Sequence, residues 1–138
     1  LFGVNQPPVL TTEVQRLQQA QIEAAFVQQI LTADPNANIV VLGDLNDFEF
    51  SAPVGVLKNA GLTALIETLP QAERYSYVFE GNSQALDHIM VSNGLITRPF
   101  AYDIVHINSE FAVQVSDHDP VVARYLDEIR APAATRAR

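Results

Sequence analysis

The chain has 138 residues, 48% hydrophobic and 17% charged, with no cysteine. This length holds one ordinary domain and this balance is globular rather than disordered, while the lack of cysteine excludes disulfide frameworks, thiolate metal sites and cysteine nucleophiles. Arg130, Arg136 and Arg138 lie at the C-terminus, leaving five basic against sixteen acidic residues in 1–129, a net charge of −11, which suits phosphate backbones poorly unless a cation intervenes.

Residues 1–10, with Pro7 and Pro8, read as an extended opening segment. They carry no initiator Met and neither the basic start nor the apolar core of a signal peptide, so the chain reads as a piece of a longer protein. No apolar run approaches the ~20 residues that cross a bilayer. Thr12 and Gln15 fit a capping box, and Val14, Leu17, Ala20, Ala24, Val27 and Leu31 recur at spacings of three and four, predicting an amphipathic helix over roughly 12–33. Ile22, Phe26 and Ile30 form a second stripe, so this helix is apolar on two sides.

Asp34-Pro35-Asn36 ends the helix. Ile39-Val40-Val41-Leu42 is a continuous, mostly β-branched run, the pattern of a central strand covered on both faces. Ser51 is expected to cap a short helix reaching about Ala60, with Pro53 in its first turn and Gly61 as its stop, and Leu62, Leu65, Ile66 and Leu69 suggest a further apolar turn. From Tyr75 onward, short β segments are predicted at about 75–80, 85–92, 102–107 and 120–125, and residues 130–138 are expected to be a disordered tail. The fold class expected is α/β, one domain over residues 1–129 or half of one.

Three polar loops adjoin apolar strands: Gly43-Asp44-Leu45-Asn46-Asp47, Leu86-Asp87-His88-Ile89 and Ser116-Asp117-His118-Asp119-Pro120. Groups beyond strand ends in α/β folds converge on crevices, so the three can share one site. Asp44 and Asn46, two apart, point to one side if the chain stays extended. A carboxylate there can hold a hard cation or take a proton from water, and a carboxamide can donate to a phosphate oxygen; the competing reading is an Asx-rich turn. An EF-hand fails, because Phe48 takes the third acidic position and Gly55 the place of the closing Glu. Asp87 interrupts an apolar strand, where an unpaired carboxylate is costly, and His118 is its candidate partner. Asp117 beside His118 allows one side chain to face a cation and the other a substrate. His88 and His106 read as structural, and Tyr75, Tyr77 and Phe79 as one packed strand face. The sequence contains no glycine-rich phosphate loop, zincin pair, nucleophile elbow or dinucleotide fingerprint.

In this order, Ile39-Val-Val-Leu-Gly-Asp-Leu-Asn-Asp47, Leu86-Asp-His-Ile-Met-Val-Ser92 and Ser116-Asp-His-Asp-Pro-Val-Val122 closely resemble the endonuclease/exonuclease/phosphatase (DNase I-like) superfamily. The opening Leu-Phe-Gly and the stretch Arg74-Tyr-Ser-Tyr-Val-Phe-Glu-Gly-Asn-Ser-Gln84 are most similar to bacterial secreted nuclease-like members. The resemblance implies a four-layer α/β sandwich of mixed sheets flanked by helices, hydrolysing phosphoester bonds with Mg²⁺, Mn²⁺ or Ca²⁺, in an extracellular or periplasmic setting. It implies that Asp44 activates or orients the attacking water and that Asn46 positions it and the phosphate. Asp117, with Asp44, would help hold the metal, while His118, oriented by Asp87, stabilises the phosphoryl oxygens. The family's earlier Asn, metal-binding Glu and phosphate-contacting His are not in this sequence, so the resemblance is to the C-terminal half. The missing half or another chain is then the expected partner, and nucleic acid the expected substrate. Phosphomonoesters, phospholipids, or no catalysis in a structural fragment are the alternatives.

Overall fold

The computed structural model describes residues 12–125, so the expected opening segment and C-terminal tail lie outside the described residues. Helix α1 runs Glu13–Ala33. Its apolar stripe buries Ala20, Ala24 and Val27, small residues that let α1 lie close to α2, Ala52–Asn59, across Val54 and Leu57. The second stripe is not buried here: Ile22 and Phe26 stand exposed among the described residues. The expected capping box does not form. Thr12 adopts helical backbone angles, and its Oγ1 accepts a hydrogen bond from Arg16 instead of from the helix's own N–H groups. Ser51 sits at the N-cap position of α2 with extended backbone but makes no side-chain cap, and Pro follows inside the first turn as predicted.

Strands β1 (Val40–Asp44), β5 (Asp87–Ser92) and β2 (Leu62–Ala64) form a sheet in the order β1-β5-β2, every pairing antiparallel. The central strand is therefore β5, buried at every residue after Asp87, and not the 39–42 run. Among the described residues β1 is at the edge, with Val40 45% and Leu42 66% exposed. Two apolar faces on a strand state that both can be buried, and pairing order is decided elsewhere. Beyond β2 the predicted apolar turn is a 3-10 turn, Leu65–Thr68, whose Leu65 and Ile66 are fully buried.

Strands β3 (Tyr77–Phe79) and β4 (Asn82–Gln84) make a hairpin, and β6 (Phe100–Ile104) pairs with β7 (Val121–Tyr125). Glu80 and Gly81 both have positive φ, 49° and 79°, the geometry of a two-residue hairpin turn whose twist matches the strands. Strand β4 is too polar to show in a hydrophobic pattern. A short helix α3, Asn93–Ile96, follows β5. It fits because residue 94 is glycine: a Cβ there would lie 2.5 Å from the Asn36 carbonyl oxygen.

The period of two in β5 builds the layers. Met90 joins the core against α1 and α2, whereas Ile89 and Val91 face the opposite side and pack with Leu95, Phe100, Ala123 and Tyr125. Helices, the three-stranded sheet and the β6–β7 pair thus stack in layers, an α/β architecture with two packed sheets. Among the described residues, no helix is long and apolar enough to cross a membrane.

Candidate active site

The same alternation sends Asp87 and His88 to opposite sides of β5 at the strand's polar end. Asp87 lies directly across from Asp44, the last residue of β1. It receives two short hydrogen bonds on Oδ2, from His118 Nδ1 at 2.6 Å and from Ser76 Oγ at 2.6 Å. The expected Asp87–His118 contact is therefore present. His118 is delivered by the segment before β7, which makes an isolated bridge to Tyr77, and its ring lies 4.7 Å from that of Tyr77. With Nδ1–H given to a carboxylate, Nε2 is left without a hydrogen-bond partner among the described residues. This is the tautomer a carboxylate selects.

Partial burial pushes the His118 pKa down, but the hydrogen bond and charge of Asp87, then the charges of Asp44 and Asp117, outweigh it and raise the value above the usual 6.5. Asp44, Asp87 and Asp117 thus all act electrostatically on His118. Asp44 and Asp117 are themselves exposed.

Asn46 reaches the site by a different route from the one expected. The chain does not stay extended: Asn46 has φ 51°, and its N–H bonds Asp44 Oδ1 at 2.9 Å. This is an Asx turn, which Asn tolerates in the left-handed region better than most residues. The turn still places Asp44 and Asn46 on the wall of one cleft of about 520 Å³, whose other walls include Arg16, Gln19 and Glu23 of α1 and Val54 of α2. His118 does not line that cleft, so the cleft extends from the Asp44 side of the site.

Sequence reasoning missed three supporting residues. Ser76, fully buried, donates to Asp87 Oδ2, while its Oγ accepts the Asp87 N–H at 3.1 Å and its carbonyl the Asp119 N–H at 2.7 Å. Its position between Tyr75 and Tyr77, on the opposite parity of that strand pattern, was the available signal. Asp119, 3% exposed, accepts the backbone N–H groups of Ile107, Asn108 and Ser109 on Oδ1, and Ser109 Oγ and His106 Nδ1 on Oδ2. Burial alone would raise its pKa, but these donors hold it well below the usual carboxylate range. Asn108 in turn donates to the His118 carbonyl at 2.8 Å. Asp47, 6% exposed, carries a guanidinium fork from Arg16 and had no sequence signal beyond its place in the loop.

The other two histidines have structural surroundings. His88 is fully buried, with Nε2–H donating to the Asp47 carbonyl at 2.8 Å. His106 bonds Asp119 and stacks on Tyr75 at 4.2 Å. The aromatic row is only half-buried and does not enter either core cluster: Tyr75 packs on His106, Tyr77 on Phe79 and His118.

For a divalent cation the donor chemistry is right and the number is not. Carboxylate oxygens suit Mg²⁺ and Ca²⁺, but Mg²⁺ takes about six oxygen positions, and among the described residues no group of three or more acidic or histidine side chains is placed to hold a metal. Asp44 and Asp117 do not make a metal site by themselves.

No protein of curated function matches the chain. The family model described as the endonuclease/exonuclease/phosphatase family matches residues 2–118, a stretch that takes in Asp44, Asn46, Asp87, Asp117 and His118. On that match, which spans most of the sequence, the chain belongs to the endonuclease/exonuclease/phosphatase family.

Proposed function

We propose that this chain carries one side of a phosphoester-hydrolysing site, acting on phosphodiester bonds of nucleic acid, with further ligands supplied by an N-terminal portion of the domain or by another chain. The observation that carries the reading is the short Asp87–His118 hydrogen bond placed directly across the sheet end from Asp44. Asp87 holds the imidazole by Nδ1, leaving Nε2 without a partner among the described residues, and the surrounding carboxylates favour its protonated form. A protonated His118 can donate to a phosphoryl oxygen as charge builds there. Asp44 accepts a proton from, or orients, the attacking water, and Asn46 donates its amide to the same water or to the phosphate. A divalent cation would supply charge neutralisation at the phosphoryl oxygens. Asp44 and Asp117 are the residues proposed to contribute to holding it, alongside oxygens from outside the described residues.

A second reading, hydrolysis of a small phosphomonoester or of a phospholipid headgroup ester, is favoured by the state of the cations. Among the described residues, Arg16 is paired with Asp47, Lys58 with Glu67, Arg74 is bonded to the carbonyls of Glu67 and Leu69, and Arg98 to Asn38, which leaves the lone exposed Arg124 uncommitted. Gripping a polymer of phosphates calls for clustered, uncommitted positive charge.

Hydrolysis of plasmid DNA and of bis-p-nitrophenyl phosphate with Mg²⁺ or Mn²⁺ tests both readings, against Asp44→Ala and His118→Ala. Weak metal-dependent turnover of both substrates, abolished by either substitution, is the result expected of a chain that carries one side of the site. Turnover of the small diester without cleavage of plasmid counts against the nucleic-acid reading. Activity indifferent to both substitutions refutes the site assignment, and none in any form means that turnover needs the ligands proposed to come from elsewhere.

A further inference from the structure

We infer that Arg16, Asp47 and His88 form a positioning network that holds the 44–47 turn, and with it Asp44 and Asn46, in register with the Asp87–His118 pair. The structural half of the inference stands on its own, and its catalytic consequence rests on the function proposed above. A non-glycine residue at positive φ persists where its surroundings over-determine it, and Asn46 is such a residue at φ 51°. Its own Asx bond to Asp44 fixes one side of the turn. The Leu45 N–H, bonded to the Leu86 carbonyl at 2.9 Å, ties the turn's start to β5.

The far side is fixed at Asp47 by two elements that are distant in sequence. Arg16 of α1 places Nε 2.5 Å and Nη2 3.3 Å from the two Asp47 carboxylate oxygens, a planar fork that sets direction as well as distance. Another guanidinium nitrogen bonds Thr12 Oγ1, so the arginine is itself held. From the other side His88 donates to the Asp47 carbonyl. Because His88 follows Asp87 directly, a single buried strand orients His118 through one residue and anchors the turn through the next. Both parts of the site are thereby referenced to β5. A charged pair held part-buried here has to offset the cost of desolvation before it adds stability, and with its fork spent on Asp47, Arg16 acts on geometry rather than on phosphate.

The test compares the full chain with Arg16→Met, Arg16→Lys and Asp47→Asn, with Arg98→Met as a distant control. Amide hydrogen exchange is read residue by residue, beside kcat and KM for bis-p-nitrophenyl phosphate. Arg16→Met and Asp47→Asn are expected to speed exchange at Leu45 and Asn46 by about tenfold or more while β5 and α2 stay protected. Where turnover is measurable they should lower kcat by roughly tenfold to a hundredfold with KM little changed. Arg16→Lys, which keeps the charge without the fork, should fall between, and Arg98→Met should match wild type. Unchanged exchange at the turn, or exchange rising equally throughout the chain, overturns the inference. So does Arg16→Lys behaving as wild type. Should Arg16→Met fail to fold, the other two variants decide. An inactive wild type leaves the exchange pattern to judge this network.

Discussion

Replacing Asp87 with Asn removes a charge and little volume, so its effect isolates the electrostatics of the dyad. In the wild type, Asp87 Oδ2 accepts two hydrogen bonds at 2.6 Å, one from fully buried Ser76 and one from His118. Charge-assisted hydrogen bonds are worth about 1.5–3 kcal/mol and neutral ones about 1. Turning both into neutral bonds should then cost about 2–3 kcal/mol, the His118 share being reduced because a quarter of its side chain is exposed. The loss should depend on pH in a set direction. A histidine whose folded pKa is raised contributes stability that is fully present below the ordinary 6.5 and is lost as pH rises through the folded value. The stability gap between wild type and Asp87→Asn should accordingly be widest at mildly acidic pH and narrow on the alkaline side. Urea denaturation from pH 5.5 to 9, together with an NMR titration of the His118 ring, measures both quantities. A gap that does not vary with pH, or a His118 pKa that does not fall in the variant, would refute the coupling.

Asp119→Asn is expected to destabilise by about 2–4 kcal/mol, since five donors converge on that buried carboxylate. Because its folded pKa is depressed, this stability is present above the ordinary value of 3.8 and fades as pH falls toward the folded one, so acid denaturation curves of the two proteins should converge at low pH. Tyr75, whose hydroxyl donates to Glu110, has its pKa raised to about 12, first by that bond and then by burial and nearby acids. Ultraviolet titration should show a late phenol that moves earlier in Glu110→Gln, and an unmoved midpoint would contradict the assignment. Gly94→Ala, which forces a Cβ against the Asn36 carbonyl, should lower stability by roughly 1–3 kcal/mol in thermal melts.

Much of the local structure was readable because it is written in period and punctuation. The spacing of Ala20, Ala24 and Val27 marked the buried stripe of α1, Pro53 and Gly61 bracketed α2, and Asp87 inside an apolar run called for a partner. The Asp87–His118 contact was readable because a carboxylate in an apolar strand carries a cost that some donor must offset. Three motifs in order then identified the family over most of the chain.

What depended on neighbours was not readable. The 39–42 run is apolar on both faces whether it lies at the centre or the edge of a sheet, and pairing order placed it beside β5 alone among the described residues. Thr12 and Gln15 have the letters of a capping box, but Arg16 takes the Thr12 hydroxyl because Asp47 draws the guanidinium across α1. Ser76 and Asp119 are ordinary residues in sequence and join the site only when the segment before β3, strand β5 and the segment before β7 meet, and Arg16 joins it only when α1 packs against the 44–47 turn. A hydrogen bond across 31 residues, the separation of both Arg16–Asp47 and Asp87–His118, leaves no trace in local pattern. Sequence by itself therefore determined the longer helices and the apolar strands, and which residues are candidates for chemistry, because those follow from propensity, period and the cost of burying charge. Tertiary structure decided which donor meets which acceptor, because that is set by the packing of distant segments.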